Sequence, residues 1–436
     1  MSVDMQTQNA PQMVETKQVE KRLSWKIPIT FLLATFLLLF FAVAVEGDTR
    51  LRLNDRNQTI NIEDITVNAS GILWVFAIIA AIGTAWSVFS TLSRGKYGRA
   101  GKAIDIVMMV LVGLLTVFAF LIFAGAGSSG AVTVTSTLVS TVAISTPLIF
   151  GSLSGVVSER VGVININIEG QLLAGAFAGV MAASYFQNAY VGLLFAPLAG
   201  AFLGSLLALF SVRYGVDQII VGVVLNVLAL GLTTFFFGTL MTENQSMLNT
   251  NRYSLKSIKI PGLSEIPVIG PMLFNQSILV YIMYVAVVVL AIFIFRSRWG
   301  LRLRACGEHP KAADTVGINV NRTRTLNTIL ASSLAGLGGA FFTIGSGLAF
   351  TNNISSGNGY IALAAMILGK WHPIGALGAA VMFGFAQAVA QLIPSLHGGI
   401  PSDLVNMIPY IITIVAVAGF VGKSRPPAAE NIPYLK

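Results

Sequence analysis

The side chains of this sequence that are best suited to bind a ligand lie in a polar break inside an otherwise apolar stretch. Amide and carboxyl groups alternate with apolar or small residues at Asn165, Asn167, Glu169 and Gln171, and residues 172–186 that follow are mostly apolar. A polar group in contact with lipid hydrocarbon costs several kcal/mol, so such groups face protein or water. The break therefore predicts a path for a polar solute, lined by these four side chains.

The same break also has a structural interpretation. Asn167 has the residue type of a helix N-cap, with a half-helix starting at Ile168 and Glu169 in its first turn, where the helix dipole favours an anion. In the functional interpretation, this helix end and its amide groups hydrogen-bond a polar substrate. The two interpretations are compatible, and the residues alone leave both open.

The composition is that of a membrane protein. Hydrophobic residues make up 55% and charged residues 10% of the chain, with a mean hydropathy of +0.78, whereas about a quarter of residues are charged in soluble domains. The net charge of +9 comes from Lys and Arg that flank hydrophobic segments. We therefore expect contacts with membrane lipids and no nucleic acid partner.

Signatures of enzymes and metal sites are absent from the sequence. Gly422, Lys423 and Ser424 imitate the end of a phosphate-binding loop, but Val417 stands where that motif needs glycine. The histidines lie in separate loops without metal-ligand spacing, and Cys306 is the single cysteine. We expect no enzyme activity, no metal site and no cofactor bound by this chain.

Ten apolar segments are long enough to cross about 30 Å of hydrocarbon as helices. They are residues 27–45, 71–92, 104–126, 132–157, 191–212, 218–241, 277–295, 325–350, 375–393 and 404–421. Two irregular segments add to them, 163–186 with the polar break and 360–369, which follows Gly357, Asn358 and Gly359. The prediction is an all-α polytopic membrane protein with about 12 transmembrane segments.

Most Lys and Arg residues fall on one side of the membrane if both irregular segments cross it. Because short cytoplasmic loops are enriched in Lys and Arg, we assign this side to the cytoplasm. Both termini are then cytoplasmic. Residues 27–45 are too long for the core of a signal peptide, so we expect them to be retained as a span.

The order of the segments predicts an inverted internal repeat. Residues 104–241 and 277–421 each contain five crossings, and the third crossing of each unit is the irregular one. An odd number of crossings inverts the second unit, and paired interrupted helices mark a solute site near the midplane. The predicted divisions are a cytoplasmic tail (1–24), two additional N-terminal spans with an extracytoplasmic loop (25–103), a permease-like core (104–422) and a cytoplasmic C-terminal tail (423–436).

Asn226 and Asn358 complete the predicted solute path. Asn226 lies within an apolar span, and Asn358 precedes the second irregular segment. Polar side chains within spans more often bond a neighbouring helix than a ligand, so packing remains the alternative for Asn226.

The longest inside loop, residues 296–324, is rich in arginine and includes Arg302 and Arg304. Pro310 suits the first position of a helix and Gly317 the end of one, so a short surface helix is predicted between them. Three interpretations stay open: a docking helix for a cytoplasmic protein, a surface on anionic headgroups, and an ordinary basic loop without a partner.

Three segments of the chain resemble one known family. Residues 159–171 (ERVGVININIEGQ), 217–222 (DQIIVG) and 304–313 (RACGEHPKAA) are similar to permease subunits of ABC importers in the branched-chain amino acid and ribose superfamily. The first segment is similar to the nucleoside-importing branch. In that family, position 167 is more often glycine and position 309 is usually asparagine, so Asn167 and His309 depart from the pattern.

The resemblance covers residues 104–421 and implies three kinds of partner. These are a second permease subunit, a cytoplasmic ATPase that uses ATP, and an extracytoplasmic solute-binding lipoprotein. It also implies an ATPase coupling helix whose residues, together with the basic ones beside it, are Arg302, Arg304, Gly307, Glu308, Pro310, Ala312, Ala313 and Gly317.

The resulting hypothesis is the permease subunit of an ABC importer in a bacterial cytoplasmic membrane, which moves a nucleoside or a similar small polar solute inward. The alternatives are a self-sufficient secondary transporter, an ABC permease for sugars or branched-chain amino acids, and a membrane scaffold without transport. Apart from Glu169, hardly any ionisable group lies deep within a predicted span. This pattern argues against a proton relay and favours energy from another subunit.

Overall fold

The computed structural model describes residues 25–53, 63–93, 98–128, 130–396, 407 and 425–434. Within these residues, nine helices are long and apolar enough to cross a membrane. The prediction of a polytopic helical membrane protein is confirmed. The predicted tail 1–24 and, apart from residue 407, the predicted span 404–421 lie outside the described residues.

The N-terminal part of the described chain combines three helices with a three-stranded sheet. Its elements are α1 (Lys26–Ala44), β1 (Asp48–Arg52), β2 (Ile65–Asn68), α2 (Ala69–Leu92), α3 (Gly98–Gly125) and β3 (Val132–Thr133). β1 pairs antiparallel with β2 and parallel with β3. The helices share a core that includes Leu38, Leu73 and Ile122. The first three predicted spans are thereby confirmed as helices.

Four further helices surround the polar break. They are α4 (Val134–Arg160), α5 (Ile168–Tyr185), α6 (Ala189–Ala208) and α7 (Gln218–Phe236), and the last two continue into the π-helical turns Leu209–Arg213 and Phe237–Met241. Residues 161–167 are not helical. The half-helix predicted to start at Ile168 is confirmed as α5.

The remaining elements include two short strands that precede the next long helix. They are α8 (Gln245–Leu248), β4 (Ser257–Lys259), α9 (Ile269–Phe274), β5 (Asn275–Ser277), α10 (Ile278–Arg296), α11 (Arg298–Glu308), α12 (Pro310–Thr315), α13 (Val320–Gly339), α14 (Asn358–Leu368) and α15 (Pro373–Leu396). The second irregular segment is the short helix α14. Helix α13 begins before the predicted span 325–350 because Asn319 accepts a hydrogen bond from the Arg322 amide and caps it. Arg324, which was expected in the loop, therefore lies in the helix and is buried.

Helices α4 and α13 lie at the centre of the bundle and pack against each other. Helix α13 also packs against α5 and α6, and α4 packs against α14 and α15. A Cβ atom on Gly336 would collide with the carbonyl oxygen of Ala196, and one on Gly339 with that of Leu172. Small residues thus bring these helices into backbone contact, as is common in membrane bundles.

Candidate functional site

The N-terminal ends of the two short helices, α5 and α14, meet at the side chain of Glu169. Its Oε1 accepts hydrogen bonds from the Ser355 hydroxyl at 2.6 Å and the Gly357 amide at 2.8 Å. Its Oε2 accepts one from the Gly359 amide at 2.6 Å. Because Glu169 lies in the first turn of α5, one carboxylate serves the N-terminal ends of two helices, where unpaired amides and the helix dipole stabilise an anion.

Two glycines allow the ends of α5 and α14 to approach this closely. A Cβ atom on Gly359 would lie 2.5 Å from the Cα atom of Glu169, which no real side chain tolerates. Gly357, the N-cap of α14, has a φ of 82°, a left-handed conformation that glycine adopts without steric cost. The contact between the two helix ends is therefore backbone against backbone.

Asn226 of α7 provides the cap of α5 that the sequence assigned to Asn167. Its Oδ1 accepts a hydrogen bond from the Gly170 amide at 2.8 Å, and its Nδ2 donates to the Ile166 carbonyl oxygen at 3.0 Å and to the Tyr360 hydroxyl at 3.3 Å. Asn167 occupies the N-cap position, but its side chain makes no cap bond. The predicted cap is wrong because the ψ of Asn167, 11°, departs from the extended N-cap conformation and because Asn226 takes the amide of the first turn.

Asn165 and Gln171 form a reciprocal amide pair. Asn165 Nδ2 donates to Gln171 Oε1 at 3.1 Å, and Gln171 Nε2 donates to Asn165 Oδ1 at 3.0 Å. Asn165 also donates to the Ser154 hydroxyl at 3.1 Å, and Gln171 to the Ser332 hydroxyl at 2.9 Å. Since both amides are fully buried, this pair ties the polar break to α4 and α13.

Asn358 and Asn167 differ in how their amides are bonded. Asn358 Oδ1 accepts a hydrogen bond from Gln387 Nε2 at 3.0 Å, which joins α14 to α15. Asn167 is fully buried, and neither its Nδ2 nor its Oδ1 has a hydrogen-bond partner within the described residues. An unsatisfied buried amide costs about 1–3 kcal/mol. Among the predicted path residues, Asn167 is thus the one with buried amide atoms that lack a hydrogen-bond partner in the described structure.

The sequence did not reveal Tyr360 and Ser355 as parts of this site. Both face the polar break only through tertiary contacts, with Ser355 separated from Glu169 by 186 positions. The Tyr360 side chain is 51% exposed, and its hydroxyl accepts from Asn226. The site therefore combines one carboxylate with neutral amide and hydroxyl groups, which suits a polar solute without a strong charge of its own.

The arginine-rich loop, for which docking is one of three interpretations, forms the helices α11 and α12. Pro310 is the first residue of α12, and Gly317 follows it with a φ of 81°, which confirms the predicted short helix. The docking segment (residues 298–317) buries Gly307 and Ala313 and exposes Arg302, Glu308, Ala312 and Gly317. Arg304 is turned inward, with its guanidinium 5.3 Å from the centre of the Phe295 ring.

The docking segment has one feature that the sequence did not single out. Val316 is 75% exposed, more than any other large hydrophobic side chain in the described part of the chain. On the inner side, a Cβ atom on Gly307 would collide with the carbonyl oxygen of Arg160. Because Arg160 ends α4 directly before the polar break, the docking segment touches the backbone that leads into the candidate site.

The sequence was also compared with known proteins. Residues 137–417 match the family described as branched-chain amino acid transport system / permease component. The guanosine ABC transporter permease protein NupQ of Bacillus subtilis (strain 168) is 41% identical over 300 residues, which are 66% of this chain and 93% of that protein. The nucleoside ABC transporter permease protein NupC of Lactococcus lactis subsp. cremoris (strain MG1363) is 39% identical over 301 residues, 67% of this chain and 94% of that protein.

A more distant relative carries a different substrate name. The putative glucose ABC transporter permease protein TsgC13 of Haloferax volcanii is 30% identical over 298 residues, 64% of this chain and 89% of that protein. No solved structure matches the chain. The helices α1, α2 and α3 precede the region that the family match covers.

Proposed function

Because this chain belongs to the branched-chain amino acid transport system / permease component family, we propose that it is the permease subunit of an ABC importer for nucleosides. The two relatives named for guanosine and nucleoside transport, at 41% and 39% identity, support this substrate class. ATP is hydrolysed on a separate ATPase subunit, and this chain binds no cofactor of its own.

The solute passes the meeting point of α5 and α14. The observation that carries this assignment is Asn167, a fully buried amide without partners in the described structure, beside the N-terminal end of α5. A nucleoside presents hydroxyl groups and ring nitrogens, and an amide both donates and accepts hydrogen bonds. Asn226 and the half-exposed Tyr360 lie beside the same helix end, so these three side chains contact the solute.

The other predicted path residues position these contacts rather than touch the solute. Asn165 and Gln171 bond to each other, Asn358 bonds to α15, and Glu169 holds the end of α14. Each of these bonds fixes one half-helix against a neighbour. Their substitution is expected to disturb the geometry of the path.

An inverted repeat with alternating access is the proposed mechanism. The packing of α4 against α14 and α15 corresponds to the packing of α13 against α5 and α6. This correspondence supports two units of opposite topology that rock against each other around the interrupted helices. In this arrangement the chain has about 12 crossings, with both termini in the cytoplasm.

The proposed partners are a second permease, a cytoplasmic ATPase and an extracytoplasmic solute-binding lipoprotein, in a bacterial cytoplasmic membrane. The ATPase binds the docking segment, where Arg302 and Val316 are exposed. Arg302→Glu and Val316→Asp are expected to weaken co-purification of the ATPase. The matched control is Arg252→Glu, a charge reversal at an exposed residue in the loop before α9. Equal ATPase binding in all three variants would contradict this docking site.

Transport by the reconstituted complex tests the proposed function. Proteoliposomes contain this chain with its second permease and ATPase, ATP inside and the binding protein outside. We expect saturable uptake of labelled guanosine that requires ATP and is competed by other nucleosides. Uptake by this chain alone, driven by an ion gradient, would instead establish a secondary transporter. Competition by glucose or leucine but by no nucleoside would show that the proposed substrate class is wrong.

A further inference from the structure

Residues 425–434, the C-terminal clasp, lie against the docking segment, although the sequence predicted only a tail there. The Ala429 amide donates to the Gly307 carbonyl oxygen at 2.8 Å, and the Ala428 amide donates to Glu308 Oε2 at 3.3 Å. Ala429 is 5% exposed. The clasp is therefore bonded to two residues of the predicted coupling helix.

A buried arginine of α13 holds the clasp from the other side. Arg324 is 1% exposed, and its guanidinium donates to the carbonyl oxygens of Ile432 at 2.7 Å, Ala429 at 3.2 Å and Cys306 at 3.4 Å. Two of these acceptors belong to the clasp and one to the docking segment. A buried charge is costly unless its hydrogen bonds are satisfied, so Arg324 favours the clasp in this position.

The side chain of Asn431 connects the clasp to the start of α7. Its Nδ2 donates to Asp217 Oδ2 at 3.3 Å, and its Oδ1 accepts from the Gln218 amide at 3.4 Å. The hydrogen bond from the Ile220 amide, followed by that from Asn431, lowers the pKa of Asp217 below its ordinary value. Gln218 Oε1 in turn accepts from the Ile164 amide at 2.7 Å. The clasp thus reaches the polar break through a single intervening residue.

A pair of carboxyl groups makes the last contact of the clasp. Glu430 lies beside Glu159, near the end of α4, and the Trp371 indole nitrogen donates a hydrogen bond to Glu159. Burial raises the pKa of Glu430 above its ordinary value. The clasp therefore joins α4, α7, α13 and the docking segment.

We propose that the C-terminal clasp couples the docking segment to the solute path. It bonds Gly307 of the docking segment and, through Asn431 and Gln218, the beginning of the polar break. A displacement of the docking segment then moves α7, whose Asn226 caps α5. The inference rests on the proposed function, since it requires an ATPase that displaces the docking segment.

Point variants in the complete importer test the clasp. Asn431→Ala removes the contacts with Asp217 and Gln218 and keeps the backbone bonds of the clasp. Transport per ATP hydrolysed is expected to fall about fivefold, the effect of roughly one hydrogen bond, with unchanged co-purification of the ATPase. Ile432→Ala is the matched control, because this side chain is 53% exposed and its carbonyl bond to Arg324 remains. It is expected to transport as the unsubstituted complex does.

A cross-link between the clasp and the start of α7 tests whether this contact stays closed during transport or has to open. Asp217→Cys and Asn431→Cys are combined with Cys306→Ala and joined by a short thiol-specific cross-linker. Transport per ATP hydrolysed is expected to be higher in the cross-linked protein than in the same variant without the cross-linker. A cross-link that blocks uptake, unchanged coupling in Asn431→Ala, or loss of assembly in Asn431→Ala would each overturn the proposal. Failure of the unsubstituted complex to take up any solute with ATP would instead refute the proposed function.

Discussion

Helices α5 and α14 both start after a non-helical segment within the bundle, yet different groups satisfy their first turns. The first turn of α5 donates its Gly170 amide to the neutral side chain of Asn226, which α7 provides. The first turn of α14 donates the Gly357 and Gly359 amides to the carboxylate of Glu169, which α5 provides. One half-helix is therefore capped from a neighbouring helix and the other by its counterpart.

We call the contact of α5 with α14 and the contact of α5 with α7 the two joints. Because different groups accept their hydrogen bonds, the two joints differ in strength. Hydrogen bonds to a charged group contribute about 1.5–3 kcal/mol each, whereas neutral ones contribute about 1 kcal/mol. The joint between α5 and α14 is then the firmer one, and we expect it to act as the pivot between the two proposed repeats. The joint between α5 and α7 is the weaker one and is expected to change during transport.

Gly359→Ala is expected to have the largest effect, because it pushes the two helix ends apart. The new Cβ atom would lie 2.5 Å from the Cα atom of Glu169, and backbone atoms on both sides prevent relief by a side-chain rotation. We expect little assembled complex and no measurable uptake. Gly378→Ala is the matched control, because a Cβ atom there meets nothing within 4 Å. Normal yield and uptake of Gly359→Ala would contradict the close contact.

Glu169→Ala is expected to rank second, because it leaves the α14 amides without their acceptor. Two unsatisfied amides cost about 2–6 kcal/mol in total, and the apparent melting temperature of the purified complex reports this loss. Uptake should fall while assembly remains detectable. Glu169→Gln keeps one side-chain oxygen as an acceptor and should lose less. A melting temperature of Glu169→Gln equal to that of the unsubstituted complex would show that the charge does not strengthen this joint.

The sequence located the polar break but not its bonding. The polar break is visible because amide and carboxyl groups are costly in an apolar stretch, and the start of α5 at Ile168 follows from that pattern. The partner of Gly170 could not be predicted, since Asn226 lies 56 positions away. Asn167 was assigned the cap because local spacing cannot show that a distant side chain already occupies the amide.

The basic loop and the C-terminal residues also show that local sequence patterns predict helix ends but not contacts between distant residues. Pro310 and Gly317 encode the ends of the short helix locally, so its position was predicted. The contacts of the clasp with Arg324 are made by backbone carbonyl oxygens of Ala429 and Ile432. Such contacts do not depend on side-chain type and leave no sequence pattern. The burial of Arg324 was missed for this reason.

Asn226→Ala is expected to weaken the joint of α5 with α7 by about 0.5–2 kcal/mol, the range for loss of a helix cap. The loss should be smaller than that of Glu169→Ala, because the missing acceptor is neutral. Asn226→Asp keeps an acceptor for Gly170 but loses the donor to the Ile166 carbonyl oxygen, so it should lie between Asn226→Ala and the unsubstituted protein. A larger drop in melting temperature for Asn226→Ala than for Glu169→Ala would reverse the proposed order of the joints.

Asn167→Ala is expected to have the smallest effect on stability, since the Asn167 amide has no hydrogen bond in the described structure to lose. Removal of the unsatisfied buried amide is favourable and offsets the cavity that the smaller side chain leaves, so the melting temperature should stay within the range of a neutral substitution. The KM of uptake should nevertheless rise about fivefold to tenfold, the effect of one lost hydrogen bond to the solute. This combination separates Asn167, which contacts the solute but holds no half-helix, from Glu169 and Asn226, which hold the half-helices. An unchanged KM would place the solute path away from the N-terminal end of α5.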